Sequence, residues 1–347
     1  MKRLLSICLT IVFFAISLLI GCITSCDAIA APSETPVILK QSVYTPSGHT
    51  YTLYIIEFAE IVSKATGGRV KIEVYPSSSL CPPGQELSSA HAGSIDMTMT
   101  VTSYLAGLVP LAQYAALPWF VPPTKEAVGK LNSEVLPLLE KSMQKFNVRL
   151  LMTLSMPNNY CLVTRKQIRT PADLKGLKIR TAGGLTDLLA VNWGAAVVSL
   201  PVSETYSALQ RGTVDATILT VPTVKGMRIY EVAPYVTDLH MGLNNFLIMV
   251  NKDKWNQISK SDQKAILDVI PKYVINIAGN SIKELETERA GWAALGIKVY
   301  NPTPAEMELW KAGARPLWTK YANTSPEAKK IVNMVIKNGG GISDADK

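Results

Sequence analysis

Between Asp173 and Asp215 the chain changes periodicity four times in about forty residues, and few architectures accommodate that. Leu177-Lys-Ile-Arg180 alternates apolar and basic side chains, the pattern of a short strand. Gly183-Gly184 then opens a helix, and Val197 to Pro201 reads as a second strand. Gly212 stops the next helix, and Val214 to Leu219 begins a third strand. Strand, helix, strand, helix, strand at this spacing is the rhythm of an α/β sheet.

The first part of the chain repeats the plan. Ile38 to Tyr44 reads as a strand, Leu53 to Lys64 carries a helical apolar face, and Arg69 to Tyr75 alternates strictly. Glu86 to His91 belongs to a helix ended by Gly93, and Ile95-Asp96 begins another strand. Ala90-His-Ala-Gly93-Ser-Ile-Asp96 therefore matches Leu209-Gln-Arg-Gly212-Thr-Val-Asp215 in plan. Each has a helix end, a glycine suited to a left-handed cap, a turn residue, an apolar residue and an aspartate. One such junction in each half predicts two similar α/β lobes, with turn and cap chemistry as the role of Asp96 and Asp215. After Trp255 the chain reads as mainly helical, through Pro271 into a long pattern from Tyr273 to Leu295, with a short strand at Gly296 to Tyr300 and a helix from Pro302 to Tyr321. The tail after Asn338-Gly-Gly-Gly341 is expected to be loose.

Lys2 and Arg3 followed by the apolar stretch Leu4 to Ile20 predict an export signal over residues 1–30, with Ala28-Ile-Ala30 before Ala31 as the cleavage site. Leu19-Ile-Gly21-Cys22 also has the form of a lipobox, which would make Cys22 an acylated N-terminus. No later segment is long and apolar enough to span a bilayer. The formal charge of +8 is spread among acids rather than clustered beside aromatic residues, which argues against a nucleic-acid partner. Of five cysteines only Cys81 and Cys161 lie beyond residue 30, and their spacing leaves a disulfide open in an exported protein. The three histidines, His49, His91 and His240, have no metal-ligand spacing, and neither a Gly-x-Ser-x-Gly elbow nor a phosphate-cradling glycine loop is present. No cofactor, metal or catalytic residue is expected. His91 is read as a surface residue and His240 as packed structure, whereas His49 follows the first strand, where a cleft opens, and is a candidate ligand contact.

The segment from Asp173 to Asp215 resembles the second lobe of the extracytoplasmic solute-binding proteins of tripartite ATP-independent periplasmic (TRAP) transporters. Ser103-Tyr-Leu-Ala-Gly-Leu-Val-Pro110, Leu117-Pro-Trp119-Phe and Asn251-Lys-Asp-Lys-Trp255 extend the resemblance over about residues 36–335. It implies an α/β, two-lobed periplasmic binding protein fold with a central ligand cleft and a long helix bracing both lobes. The implied lobes are discontinuous: residues 31–157 plus 246–285, and 158–245 plus 286–347. The implied protein is periplasmic, monomeric and more often free than lipid-anchored. It hands a small organic anion to TRAP membrane permease subunits.

In the resembled family the arginine in the position of Arg180 grips the ligand's carboxylate. The physics suits it, because a guanidinium is a planar fork that matches a carboxylate with two bonds. Other positions depart from the family. Tyr160 stands where a second arginine is frequent, Leu219 where an asparagine touches ligand, and Val101, followed by Ser103, where sialic-acid-type members carry a glutamate. Tyr44, Val202 and Asn245 complete the expected lining. The three departures reduce polarity, so an aromatic, branched or keto acid, or a sulfonate, is expected rather than a sugar acid. A ligand-sensing module for a signalling receptor, and a hydrolase or isomerase on the same lobes, are the alternative readings.

Overall fold

The computed structural model describes residues 35–342, the side chain of Asn158 excepted. The expected export signal over 1–30, its cleavage site and the Cys22 lipobox lie outside these residues. The described part is built on a nine-stranded sheet in the order β2-β1-β3-β8-β4-β7-β5-β6, with β9 paired to β8. Its first half holds β1 (Val37–Val43), β2 (Val70–Tyr75) and β3 (Met97–Val101), with α1 (Thr50–Ala65) and α2 (Glu86–Ala92) between them. Its second half holds β5 (Lys178–Thr181), β6 (Ala196–Ser199) and β7 (Ala216–Thr220), interleaved with α4 (Leu185–Asn192) and α5 (Thr205–Gln210). In both halves the first strand lies between the next two and runs parallel to them.

The repeated junction is the same structure twice. Gly93 and Gly212 take left-handed conformations, at φ 75° and 71°, that favour a residue without Cβ. The Asp96 carboxylate accepts the Lys40 backbone N–H at 2.9 Å, and Asp215 accepts that of Lys178 at 3.0 Å. Each aspartate thus ties the end of its strand to the neighbouring first strand, which is turn chemistry.

Two long strands join the halves. β4 (Val148–Thr164) and β8 (Tyr235–Asn251) are 17 residues each and pair antiparallel along their length. β8 pairs with β3 through Val101↔Phe246, and β4 pairs with β7 through Tyr160↔Thr220. The sequence reading assigns no element to Val148–Thr164 and begins the second crossing only at Phe246. Leu150 to Met156 is buried on both faces, with Met152, Leu154 and Met156 alternating with Thr153 and Ser155, a run of five that Pro157 and two asparagines cut short.

α3 (Lys125–Ser142) covers the sheet, and α6 (Val221–Gly226) and α7 (Lys252–Gln257) follow β7 and β8. α8 (Lys260–Gly291) is one helix of 32 residues, about 48 Å long, and it continues through Pro271. Its Ile266, Ile270, Tyr273 and Ile277 pack in the first-half core with Phe58 and Phe246. Its Leu285 packs in the second-half core with Val163, Leu209 and Val236. One rigid element therefore contributes to both cores, as expected of a brace. β9 (Lys298–Tyr300) leads to α9 (Pro304–Ala322) and α10 (Pro326–Lys337), whose Trp310, Leu317 and Ile331 join a third core with Leu111, Leu131 and Leu189. The Gly341 N–H donates to Trp119 O at 3.0 Å, and the tail expected to be loose beyond it lies, from residue 343, outside the described residues. Cys81 and Cys161 are buried free thiols in different cores.

Candidate functional site

The C-terminal ends of the parallel strands in both halves converge on one cavity beside the β4–β8 crossing. It offers about 70 Å³ to the centres of water-sized molecules. Among the described residues Arg180 is the one charged member of the lining. β5 is an interior strand, and Arg180 is 2% exposed, so the guanidinium is sealed from solvent by the sheet that carries it. Its Nε donates to Leu200 O at 2.9 Å, while Nη2 is buried without a hydrogen-bond partner among the described residues. Burial pulls its pKa below the ordinary arginine value, and the neighbouring Tyr104, Tyr160 and Tyr44 hydroxyls act the other way. Among the described residues no carboxylate forms an ion pair with it. A buried cation without a counter-charge is costly, and an anionic ligand is what removes the cost.

The other walls are aromatic and apolar. Tyr44, at the end of β1, packs edge-on against Tyr104 with centroids 5.9 Å apart. Tyr104, in the 3-10 turn after β3, accepts the Val202 N–H at 3.3 Å and so links the two halves beside Arg180. Gln113 makes a second link. Its amide donates to Thr102 O and accepts the N–H of Leu185, the first residue of α4. A Cβ on Gly184 would stand 2.1 Å from Gln113 Oε1, so a glycine is required there, φ +66° aside. Tyr160 lies over Gly242, whose φ of +79° and closeness to the ring (2.6 Å from an added Cβ) again admit only glycine. The Tyr160 hydroxyl donates to Asn244 Oδ1 at 3.1 Å.

Of the expected lining residues, Arg180, Tyr160, Tyr44, Val101, Ser103, Val202 and Leu219 all stand on this cavity. His49 and Asn245 do not. His49 is the N-cap of α1, accepting the Tyr51 N–H at Nδ1, and its Nε2 meets Thr223 Oγ1 at 3.5 Å behind the wall. Desolvation lowers its pKa to about 4, so it is neutral there. Asn245 is 0% exposed and donates to Ser155 Oγ on the opposite face of β8. Strand alternation gives the cavity position to its neighbour Asn244. Tyr51, Met227 and Met241 also line the cavity, and sequence reasoning misses them because they look like ordinary core positions.

A mostly apolar cavity between two lobes, with one buried cation in its described lining, has the form of a ligand-binding site. DctP, described as "Bacterial extracellular solute-binding protein, family 7", matches residues 41–324, and the chain belongs to this family of TRAP extracytoplasmic solute-binding proteins, which are not enzymes. The 2,3-diketo-L-gulonate-binding periplasmic protein YiaO of Escherichia coli is 28% identical over 67% of this chain and 70% of its own length. The sialic acid-binding periplasmic protein SiaP of Vibrio cholerae is 24% identical over 88% of this chain and 95% of its own. Among solved structures, DctP7 of Bordetella pertussis, an extracytoplasmic solute receptor binding pyroglutamic acid, superposes with a TM-score of 0.81 at 19% identity, covering 86% of this chain and 99% of its own. A Desulfovibrio salexigens TRAP periplasmic solute binding protein with bound orotic acid gives 0.77 at 21% identity, over 87% and 98%. Among the described residues no helix is long and apolar enough to cross a membrane, and no group of three His, Cys, Asp or Glu could hold a metal.

Proposed function

We propose that this protein captures a small organic monoanion outside the cytoplasm and delivers it to the membrane permease of a TRAP transporter. The observation that carries the reading is Arg180, a buried guanidinium with an unpartnered Nη2 in a cavity whose described lining holds no acid. The ligand's acid group pairs with Arg180, and its body lies against Tyr44, Tyr104, Tyr160, Leu219 and Met241. The small cavity and apolar wall favour an aromatic, branched or oxo acid, or a sulfonate, over a polyhydroxylated sugar acid. Pyroglutamic acid and orotic acid, bound by proteins of the same fold, are acids of this size. Residues 31–157 plus 246–285 form one lobe and 158–245 plus 286–347 the other. The crossing of β4 and β8 supports these limits, whereas α10, by packing on α3, reaches across them. Ligand contacts to both lobes favour the closed arrangement, and the permease reads that surface. An export signal over residues 1–30 directs the monomeric chain to the periplasm, with acylation at Cys22 as the alternative ending.

The test is thermal melting of the protein against a panel of carboxylates and sulfonates, with Arg180→Ala beside the wild type. A ligand at about a thousand times its Kd adds roughly 4 kcal/mol. At about 2.1 cal/mol/K per residue of unfolding entropy, that raises the Tm by roughly 6 °C. A shift for one anion class that vanishes in the variant is expected. Shifts that persist undiminished in Arg180→Ala would make the arginine structural and the ligand of another kind.

A further inference from the structure

A second unpartnered donor stands on the same cavity. Asn244 lines it and is 1% exposed. Its Oδ1 is taken by the Tyr160 hydroxyl at 3.1 Å, which fixes the orientation of the amide and turns Nδ2 away from Tyr160. That Nδ2 is buried with no hydrogen-bond partner among the described residues. The Tyr51 hydroxyl lies close enough to interact with the Asn244 amide but outside strict hydrogen-bond geometry, and itself donates to Asn159 Oδ1 at 3.4 Å. A buried amide N–H left unmet is destabilising, so a ligand oxygen placed there binds more tightly than a methylene. Among the described residues no carboxylate lines the cavity, so an ammonium group would find no counter-charge in it.

We propose that Asn244 is the second anchor of the site, donating from Nδ2 to an uncharged carbonyl oxygen on the ligand, so that the class bound is oxo-carboxylates (keto, lactam or ring-carbonyl acids) rather than unsubstituted or amino acids. This rests on the reading that Arg180 holds the acid group. The two anchors act on different parts of the ligand. Arg180 selects charge, and Asn244 selects among monoanions by what they carry beyond the carboxylate. Tyr160 connects them, since its hydroxyl neighbours the guanidinium and holds the amide.

The experiment is titration calorimetry of the full chain with matched acids: 2-oxopentanoate and 4-oxopentanoate against pentanoate, 2-hydroxypentanoate and 2-aminopentanoate, and 5-oxoprolinate against cyclopentanecarboxylate. In the wild type at least one oxo acid should bind about tenfold or more tighter than its methylene parent, the equivalent of about 1.4 kcal/mol. The amino acid should not bind. Asn244→Leu, nearly isosteric and uncharged, should erase the oxo preference, so that oxo and parent acids bind within about threefold of each other. Equal weakening of oxo and parent acids, or a preference that survives the substitution, would overturn the assignment. So would tighter binding of the hydroxy acid than of the oxo acid in the wild type, which needs no variant to observe. Arg180→Ala separates the two readings: if it abolishes binding of every acid while Asn244→Leu changes no preference, only the second anchor falls. If Arg180→Ala leaves binding intact, both fall.

Discussion

Replacing Arg180 by methionine should make the ligand-free protein more stable while removing its function. The guanidinium is 2% exposed, its Nη2 has no partner among the described residues, and desolvation depresses its pKa, three marks of a group held at a cost. Methionine keeps the length of the stem and its packing while removing the charge. The unmet N–H alone costs about 1–3 kcal/mol. Against that, the bond from Nε to Leu200 O is lost, worth about 1.5–3 kcal/mol for a charged donor, so these two effects nearly offset one another. What remains is the cost of the buried charge itself. Replacing a buried ionic group by a well-packed apolar one is often neutral or stabilising by about 1–4 kcal/mol. At about 1.5 °C per kcal/mol for a chain of this size, scanning calorimetry should show a Tm unchanged or raised by up to roughly 6 °C. Binding should move the opposite way. Two charged hydrogen bonds to one carboxylate contribute about 3–6 kcal/mol, so the Kd should rise by about a hundredfold or more. A variant that melts several degrees lower yet still binds its acid would refute the reasoning, because Arg180 would then be a structural residue.

Three further perturbations probe the frame around the site. Glu86 is 2% exposed with one unpartnered oxygen, and desolvation raises its pKa to about 6. Its folded pKa exceeds the ordinary 4.5, so its contribution is full below about pH 4.5 and is lost as pH rises through 6. Glu86→Gln should therefore gain up to about 2 kcal/mol at pH 7.5 and little at pH 4.5, read from urea melts at both pH values. His49 has the opposite sign, because a folded pKa near 4 means stability falls as pH drops from about 6.5 toward 4, by up to about 3 kcal/mol. His49→Asn, which keeps an N-cap acceptor, should flatten that slope; an unchanged acid limb in denaturation curves would exclude the histidine as its source. Gly242→Ala places a Cβ at φ +79° and 2.6 Å from the Tyr160 ring, so it should cost about 1–2 kcal/mol of stability and weaken acid binding through displacement of that ring. Unaltered affinity in calorimetry would show that the ring's position is immaterial.

The parts legible in the sequence are those whose physics is local. Gly93 and Gly212 announce left-handed caps because other residues resist that conformation, and the aspartates three residues later follow from the same turn. Arg180 is legible because a resemblance supplies its role; alternation alone leaves it on a strand surface. The crossing strands are not legible. Met152-Thr-Leu-Ser-Met156 alternates, but Pro157 and two asparagines break the pattern before Tyr160, and the environment of the strand is set by β7, β8 and the helices packed on them. Asn245 and His49 show the finer limit. The Asn244-Asn245 pair does reach the crossing, but which of two neighbours faces the cavity depends on a strand register that no residue within the pair determines. His49 does stand past the end of the first strand, yet capping α1 uses the ring nitrogen that a ligand contact would have needed.

The distribution of the site over the sheet explains why binding and lobe closure are one event. Arg180 belongs to β5 in the second half, whereas Tyr44 and Tyr104 follow β1 and β3 in the first. Asn244 and Tyr160 sit on the strands that pass between them. A ligand held by Arg180 and by the first-half wall adds its bonds only when both halves are brought to it. The protein's own cross-links beside the cavity are weak, among them the Val202 N–H to the Tyr104 hydroxyl, the Leu185 N–H to Gln113 Oε1 and the His49–Thr223 contact. Neutral hydrogen bonds of this kind contribute about 0.5–1.5 kcal/mol each, comparable with what a single charged bond from Arg180 supplies. On the proposed function the equilibrium between arrangements is therefore within the reach of one small anion, while α8, which shares its side chains between two cores, braces both halves.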